Sequence, residues 1–215
     1  HQLHRRQRQM CIRDSTEALF IKEPGVGASV AWHRDGTTHW DSPDFDEGTH
    51  GFNFMAQLYG CTSANGVWVV PGSHKKRYVD IADMVTRAGS ERIEEAIPMI
   101  CNPGDVVISN RQAVHGSFAN TSSDWRITIN QGFHRRKSVL GVKGGGLHGK
   151  PAVYDAERII ERSKIIKLAI EARKQRFPDE QAFEYKPLSA STENFTWNAA
   201  ARKRLHDYNL LDLSI

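Results

Sequence analysis

Between residues 20 and 132, apolar and polar side chains alternate in short runs, each closed by glycine, proline or a polar turn. The runs ASVAWHRD (28–35), FNFMAQLYG (52–60), VWVV (67–70), IPMI (97–100), DVVIS (105–109) and WRITINQGF (125–133) read as strands. In 52–60 a period of two sets Phe52, Phe54, Ala56 and Leu58 on one face. Pro71-Gly72 and the CNPG at 101–104 supply turn chemistry. A helix is expected from Asp80 to Ala88, with a continuation toward Ala96 that Gly89-Ser90 interrupts. Short strands at this spacing predict a mainly-β segment: a sandwich, jelly roll or closed barrel.

The pattern changes after Gly132. LGVKGGGLHGKP (140–151) is a glycine-rich loop, and 153–177 reads as an amphipathic helix with Ile159, Ser163, Ile166 and Ile170 at helical spacing. Pro178 ends it. Farther on, Phe183, Tyr185, Phe195 and Trp197 are expected to pack back onto the core. GGGLHGK (144–150) fits the first part of a phosphate-binding loop, but Pro151 stands where a magnesium-binding hydroxyl is needed, so a flexible connection is expected instead.

Composition alters this picture at one end only. The net charge is +4 and the isoelectric point near 9.0, yet residues 1–15 carry Arg5, Arg6, Arg8 and Arg13 against Asp14 alone. The other 200 residues hold 25 basic and 24 acidic side chains, which argues against nucleic acid as the main partner. The string RRQRQMCIRDS has no apolar period and reads as translated adapter sequence, the alternative being a native basic arm. Residues 1–15 are therefore read as a non-native tail, 16–139 as the core, and 140–215 as a helical extension packed on it. No apolar run approaches the roughly 18 residues of a membrane span, no apolar signal core is seen, and the cytoplasm is the default location. Cys61 and Cys101 suggest ordinary buried thiols, with no zinc spacing.

The candidate chemistry starts at His33-Arg34-Asp35. Residues i and i+2 of a strand project from the same face, so His33 and Asp35 can address one ion. Two ligands do not complete a site; His115 in QAVHGSFAN, after the strand DVVIS and a short loop, is the best third. Two histidines and a carboxylate on one face of an octahedron leave three positions open, which suits Fe(II) that must also take a cosubstrate and O₂. Arg126 lies eleven residues after His115, and a buried guanidinium requires an anionic partner such as a dicarboxylate. Ser117 could add a hydroxyl, and Gln57 sits on a strand that could face the same mouth. The acidic loop with Asp41, Asp44, Asp46 and Glu47 reads as solvated surface or a lid; Trp32 is expected in the core, and Trp40 as a pocket candidate.

AWHRDG, VWVVPGSHKKR and NPGDVVISNRQAVHGSFANTSSDWRITINQGF, in this order, resemble the phytanoyl-CoA dioxygenase-like branch of Fe(II)/2-oxoglutarate oxygenases over residues 16–136. The resemblance implies a double-stranded β-helix (a jelly-roll, cupin-like barrel) with flanking helices. It implies iron on His33, Asp35 and His115, and the distal carboxylate of 2-oxoglutarate on Arg126 assisted by Ser117. It further implies hydroxylation of a small organic substrate by O₂, with succinate and CO₂ released. His74 in the PGSH turn looks structural. Related halogenases carry a small residue at the carboxylate position; Asp35 therefore favours hydroxylation. Members generally carry a much longer stretch before HxD, so this chain reads as truncated at its N-terminus. The alternatives are a cupin-like metal-binding protein or isomerase without oxygen chemistry, and an inactive truncated homologue.

Overall fold

The strand predicted at 52–60 is present in the computed structural model as Gly51–Gln57, but its buried side is the reverse of what apolarity suggests. Gly51, Asn53, Met55 and Gln57 are buried, whereas Phe52 and Leu58 stand exposed. The structure describes residues 17–26, 29–35, 48–144 and 152–211. The expected tail, the acidic loop with Trp40, and most of the glycine-rich loop lie outside them.

Among the described residues are ten strands: β1 (Glu17–Lys22), β2 (Val30–His33), β3 (Gly51–Gln57), β4 (Val67–Val69), β5 (Ile97–Pro98), β6 (Val106–Asn110), β7 (His115–Ser117), β8 (Arg126–His134), β9 (Lys143–Gly144) and β10 (Ala152–Val153). The first eight form two four-stranded antiparallel sheets, ordered β1-β8-β3-β6 and β2-β7-β4-β5. One Pro-Gly turn follows β4 and another precedes β6. Gly72 and Gly104 follow Pro71 and Pro103 with φ of 77° and 90°, the left-handed region that glycine adopts most readily.

Register sorts the first sheet into two unlike faces. Leu19 pairs with Ile129, Ile21 with Ile127, Phe52 with Phe133 and Phe54 with Ile108, so these residues share one side. Much of that side is open: Ile108 is 65% and Ile21 51% exposed. The opposite side carries Lys22, Asn53, Gln57, Arg126 and Thr128, all buried. A strand that buries its polar side is unusual in a soluble sheet, and a polar interior of this kind accompanies a ligand site.

The second sheet is sided in the ordinary way. Val70, Ile93, Ala96 and Val114 form a buried cluster with Trp32, Trp68, Val79, Ile81, Met84 and Val85 against it, which places Trp32 in the core as expected. Helix α1 (Ile81–Ala88) supplies Ile81, Met84 and Val85, spaced i, i+3, i+4. Asp80 caps it by accepting from the Asp83 amide, and Gly89 ends it at φ 61°, so the continuation to Ala96 does not form. Burying a side chain such as Ile93 contributes about 1.5–3 kcal/mol. Gly116 lies beneath the Trp32 indole, where a Cβ would sit 3.2 Å from the ring.

The chain divides into two compact units between Ser138 and Val139, within the one-turn helix α2 (Arg136–Val139). In the second unit α3 (Ala156–Arg176) starts at the Asp155 cap, and α4 (Ala199–Leu211) follows. α3 has no single apolar stripe. Ile159 packs with Val139 and Tyr154, while Leu168, nine residues on and half a revolution round, packs with Phe195 and Ala201. Ile166, placed by the pattern beside Ile159, is partly exposed. Phe195 and Trp197 do pack, on α3 and α4; Phe183 is exposed. No helix among the described residues is long and apolar enough to cross a membrane.

Candidate metal and anion site

β2 and β7 are neighbours in the second sheet, and His33 and His115 are direct cross-strand partners. Their rings lie 4.3 Å apart between centroids. A register irregularity between Val30 and His33 bends β2 beside them. Just beyond the end of β2, Asp35 is anchored through its backbone: its amide donates to the Arg111 carbonyl at 3.1 Å.

Three ligand atoms converge there. His33 Nε2 is 3.3 Å from Asp35 Oδ1, His115 Nε2 is 3.7 Å from Asp35 Oδ2, and one donor atom from each residue lies within 4.8 Å of the others. Cis ligands about 2.1 Å from one ion are separated by roughly 3 Å, so small adjustments would seat a metal. Each imidazole is already turned for that task. His33 Nδ1 faces the Ala31 carbonyl at 2.7 Å and His115 Nδ1 the Ala113 carbonyl at 3.0 Å. In both rings Nδ1 is turned to a backbone carbonyl, which leaves Nε2 directed toward Asp35.

Burial alone would raise the Asp35 carboxyl, but the hydrogen bond from His33, the His115 and Arg111 charges and the Asn53 amide outweigh it and hold it well below the usual carboxylate range. His33 is pushed up: burial opposes its charge, and Asp35 together with the Ala31 carbonyl overcomes that. His115 is pushed down, chiefly by burial, despite the nearby Asp35. The cluster is thus an ionised carboxylate between two histidines, a donor set for a divalent transition metal.

A second group of residues lines the polar side of the first sheet. Arg126 is 3% exposed; its Nε donates to Thr128 Oγ1 at 3.2 Å and its Nη1 to the Asn65 carbonyl at 3.3 Å. Thr128 passes its hydroxyl proton to Gln57 Oε1 at 2.6 Å, so Gln57 joins this group through Thr128. Lys22, the cross-strand partner of Arg126, donates from Nζ to Ser117 Oγ at 2.9 Å and to the Phe118 carbonyl. Ser117 is two residues after His115 on β7, so this bond ties the first sheet to the histidine-bearing one. Burial and the Arg126 charge push the Lys22 ammonium down to about 8, and burial pushes Arg126 down as well. Among the described residues, no carboxylate faces either cation.

The structure thus brings His33, Asp35 and His115 together, and sets Arg126, Ser117 and Gln57 in one polar group. Ser117 meets Lys22 in that group. Lys22, Asn53 and Arg111 were not singled out from the sequence. The signal for Lys22 was its parity: it shares a face of β1 with Phe20, on the strand that pairs with Arg126. Asn53 carries no apolar or ligand signal of its own, and it shares the buried side of β3 with Gln57. His74 stands in a short 3-10 turn (Ser73–Lys75) outside the cluster, and His50 meets Ser138 at 2.7 Å. Cys61 and Cys101 are free thiols facing each other across a β-bridge.

A profile of the family described as Phytanoyl-CoA dioxygenase (PhyH) matches residues 3–128. The chain is 30% identical over 115 residues to Phytanoyl-CoA dioxygenase 1 of Oryza sativa subsp. japonica, covering 49% of this chain and 39% of that protein. It is 36% identical over 109 residues to Dioxygenase cdmD of Talaromyces verruculosus, covering 48% of this chain and 33% of that protein. The aligned part is thus well under half the length of either relative. Among solved structures, EctD from S. alaskensis with 2-oxoglutarate and 5-hydroxyectoine aligns at a TM-score of 0.46 and 21% identity, over 59% of this chain and 45% of that one. With more than half of its residues matched by the family profile, the chain belongs to the phytanoyl-CoA dioxygenase family.

Proposed function

We propose that residues 16–139 are the catalytic core of an Fe(II)/2-oxoglutarate-dependent dioxygenase that hydroxylates a small organic molecule. His33, Asp35 and His115 are the metal ligands in this reading, and Arg126 with Lys22 receives the distal carboxylate of 2-oxoglutarate. The observation that carries it is the pairing of two buried cations, which meet no carboxylate among the described residues, with a convergent His-Asp-His cluster. Two adjacent buried positive charges are costly unless an anion joins them, and a dicarboxylate has one end for the cations and one for the metal. The strand orders β1-β8-β3-β6 and β2-β7-β4-β5 support a double-stranded β-helix as the scaffold.

Bound Fe(II) with the keto-acid end of 2-oxoglutarate supplies O₂ activation, giving succinate, CO₂ and hydroxylated substrate. The chain's own residues do the positioning. The Ala31 and Ala113 carbonyls hold Nδ1 of each ring, which orients both imidazoles with Nε2 toward the metal position. Asp35 enters already ionised and offsets the metal charge. Lys22 and Ser117 span the two sheets and set where the far carboxylate ends. The presence of Asp35 supports hydroxylation over halogenation.

The test is anaerobic thermal melting with Mn(II) alone and with Mn(II) plus 2-oxoglutarate. The reading expects a rise with metal and a further rise with the dicarboxylate. A rise with metal and none with 2-oxoglutarate would favour a cupin-like metal protein without oxygen chemistry.

A further inference from the structure

We propose that Asn53 and Arg111 are positioning residues that hold the Asp35 carboxylate in a one-oxygen mode toward the metal, with Arg111 acting through Asn53. The proposal rests on the reading of His33, Asp35 and His115 as ligands.

Asn53 sits on the buried side of β3, 2% exposed, and its Nδ2 donates to Asp35 Oδ2 at 2.6 Å. Arg111 donates from Nη1 to Asn53 Oδ1 at 2.9 Å, in the segment just before His115. That second bond decides the orientation of the amide. Oδ1 is taken by the guanidinium, so the NH₂ group can only point at Asp35. Arg111 also holds Asp35 from the other end, because its carbonyl accepts the Asp35 amide proton. The ligand is therefore gripped at its backbone and, through one intervening amide, at its carboxylate.

The surroundings are shaped for this side chain. Gly132 is the cross-strand partner of Asn53, and a Cβ there would collide with Arg111 Nη1. At Gly51 a Cβ would come within 3.0 Å of Arg111 Cδ and collide with the Phe133 carbonyl. Two glycines on adjacent strands thus leave a slot in which the guanidinium lies against the sheet.

The chemical consequence follows from the aspartate torsion. The χ2 of a carboxylate is broad and roughly two-fold, so an unheld Asp35 would present either oxygen, or both, to an ion. Oδ2 lies 3.7 Å from His115 Nε2, but its bond from Asn53 occupies it and favours Oδ1, 3.3 Å from His33 Nε2, as the metal-facing oxygen. A carboxylate giving one oxygen uses one position, which leaves room for a chelating cosubstrate and O₂ on an octahedral metal.

The experiment is Co(II) titration without oxygen or 2-oxoglutarate, read by ligand-field absorption and dissociation constant, with metal-free melting recorded for each variant. Asn53→Ala is expected to weaken Co(II) about 10–100-fold and to change the absorption band. Arg111→Gln should weaken it as well, and the losses in the double variant should be well short of additive, because the two share the hydrogen-bond path although the Arg111 charge also reaches Asp35 directly. Arg111→Lys, which retains a donor for Asn53, should recover most of the affinity. If the alanine variant does not fold, Asn53→Leu, nearly isosteric but without the amide, takes its place with the same expectation. Additive losses in the double variant would overturn the relay. Wild-type affinity and spectrum in the Asn53 variants would overturn the proposal, provided that Asp35→Ala loses Co(II). Retention of Co(II) by Asp35→Ala would instead remove the metal reading beneath it.

Discussion

Lys22 and Arg126 are direct partners across β1 and β8, and both end in the same buried polar interior with no described carboxylate between them. Two like charges in register on one face repel, so the arrangement disfavours folding until an anion arrives. Lys22→Met should therefore weaken 2-oxoglutarate, measured by its effect on the melting of the Mn(II)-loaded protein, by about ten-fold or more. Metal affinity should stay as it was. Equal loss of both would show that Lys22 supports the fold and not the anion.

The same lysine sets a pH window. Folded, it titrates near 8; unfolded, near 10.5. Between these values the unfolded chain holds more protons, so metal-free stability gains from Lys22 as pH rises from about 8 to 10.5 and is insensitive to it below 8. Dicarboxylate affinity runs the other way, falling above about 8 as the ammonium charge is lost. Denaturant melts of the wild type and Lys22→Met across this window check it: the difference between the two slopes should vanish below pH 8.

These buried charges mark the limit of what alternation reveals. Six of the strands, the break at Gly89 and the grouping of Phe52, Phe54 and Ala56 were legible, because period and turn chemistry are local; β1, β7, β9 and β10 were not read as strands. Burial was not. It depends on which side of the sheet meets the other sheet, and here Asn53, Gln57, Thr128 and Arg126 face inward although Phe52 and Ile108 are the more apolar. The pairing of His33 with His115 was reachable from HxD and the resemblance. The Asn53–Arg111 link was not, since it joins positions 58 residues apart through a slot made by two glycines. The helix at 156–176 was legible in extent, but its burial switches sides along its length, which a single periodic stripe cannot express.

Gly132→Ala tests the slot directly. The new Cβ would overlap Arg111 Nη1 and drive the guanidinium off Asn53. Because the obstacle is a side chain end and not backbone, the fold should survive with a loss of about 1–3 kcal/mol. Co(II) binding should weaken in parallel with Arg111→Gln. A variant that melts like the wild type and keeps its Co(II) affinity would mean that the guanidinium has another comfortable place.

The open side of the first sheet gives the last prediction. Ile21, on the edge strand β1, and Ile108, on the edge strand β6, are among its most exposed apolar residues, and Leu19, Phe52, Val106 and Phe133 continue the surface between them. An apolar surface spread over four strands attracts other apolar surfaces, and the edges of β1 and β6, unpaired among the described residues, add hydrogen-bonding groups. In isolation the chain should bind an apolar dye and self-associate with rising concentration. Ile21→Lys with Ile108→Lys should reduce both, by light scattering and dye fluorescence. Neither side chain is buried, so the melting midpoint should change by the small amount usual for surface substitutions, about 0.5 kcal/mol or less. A large loss of stability would show instead that this face packs against something in the folded chain.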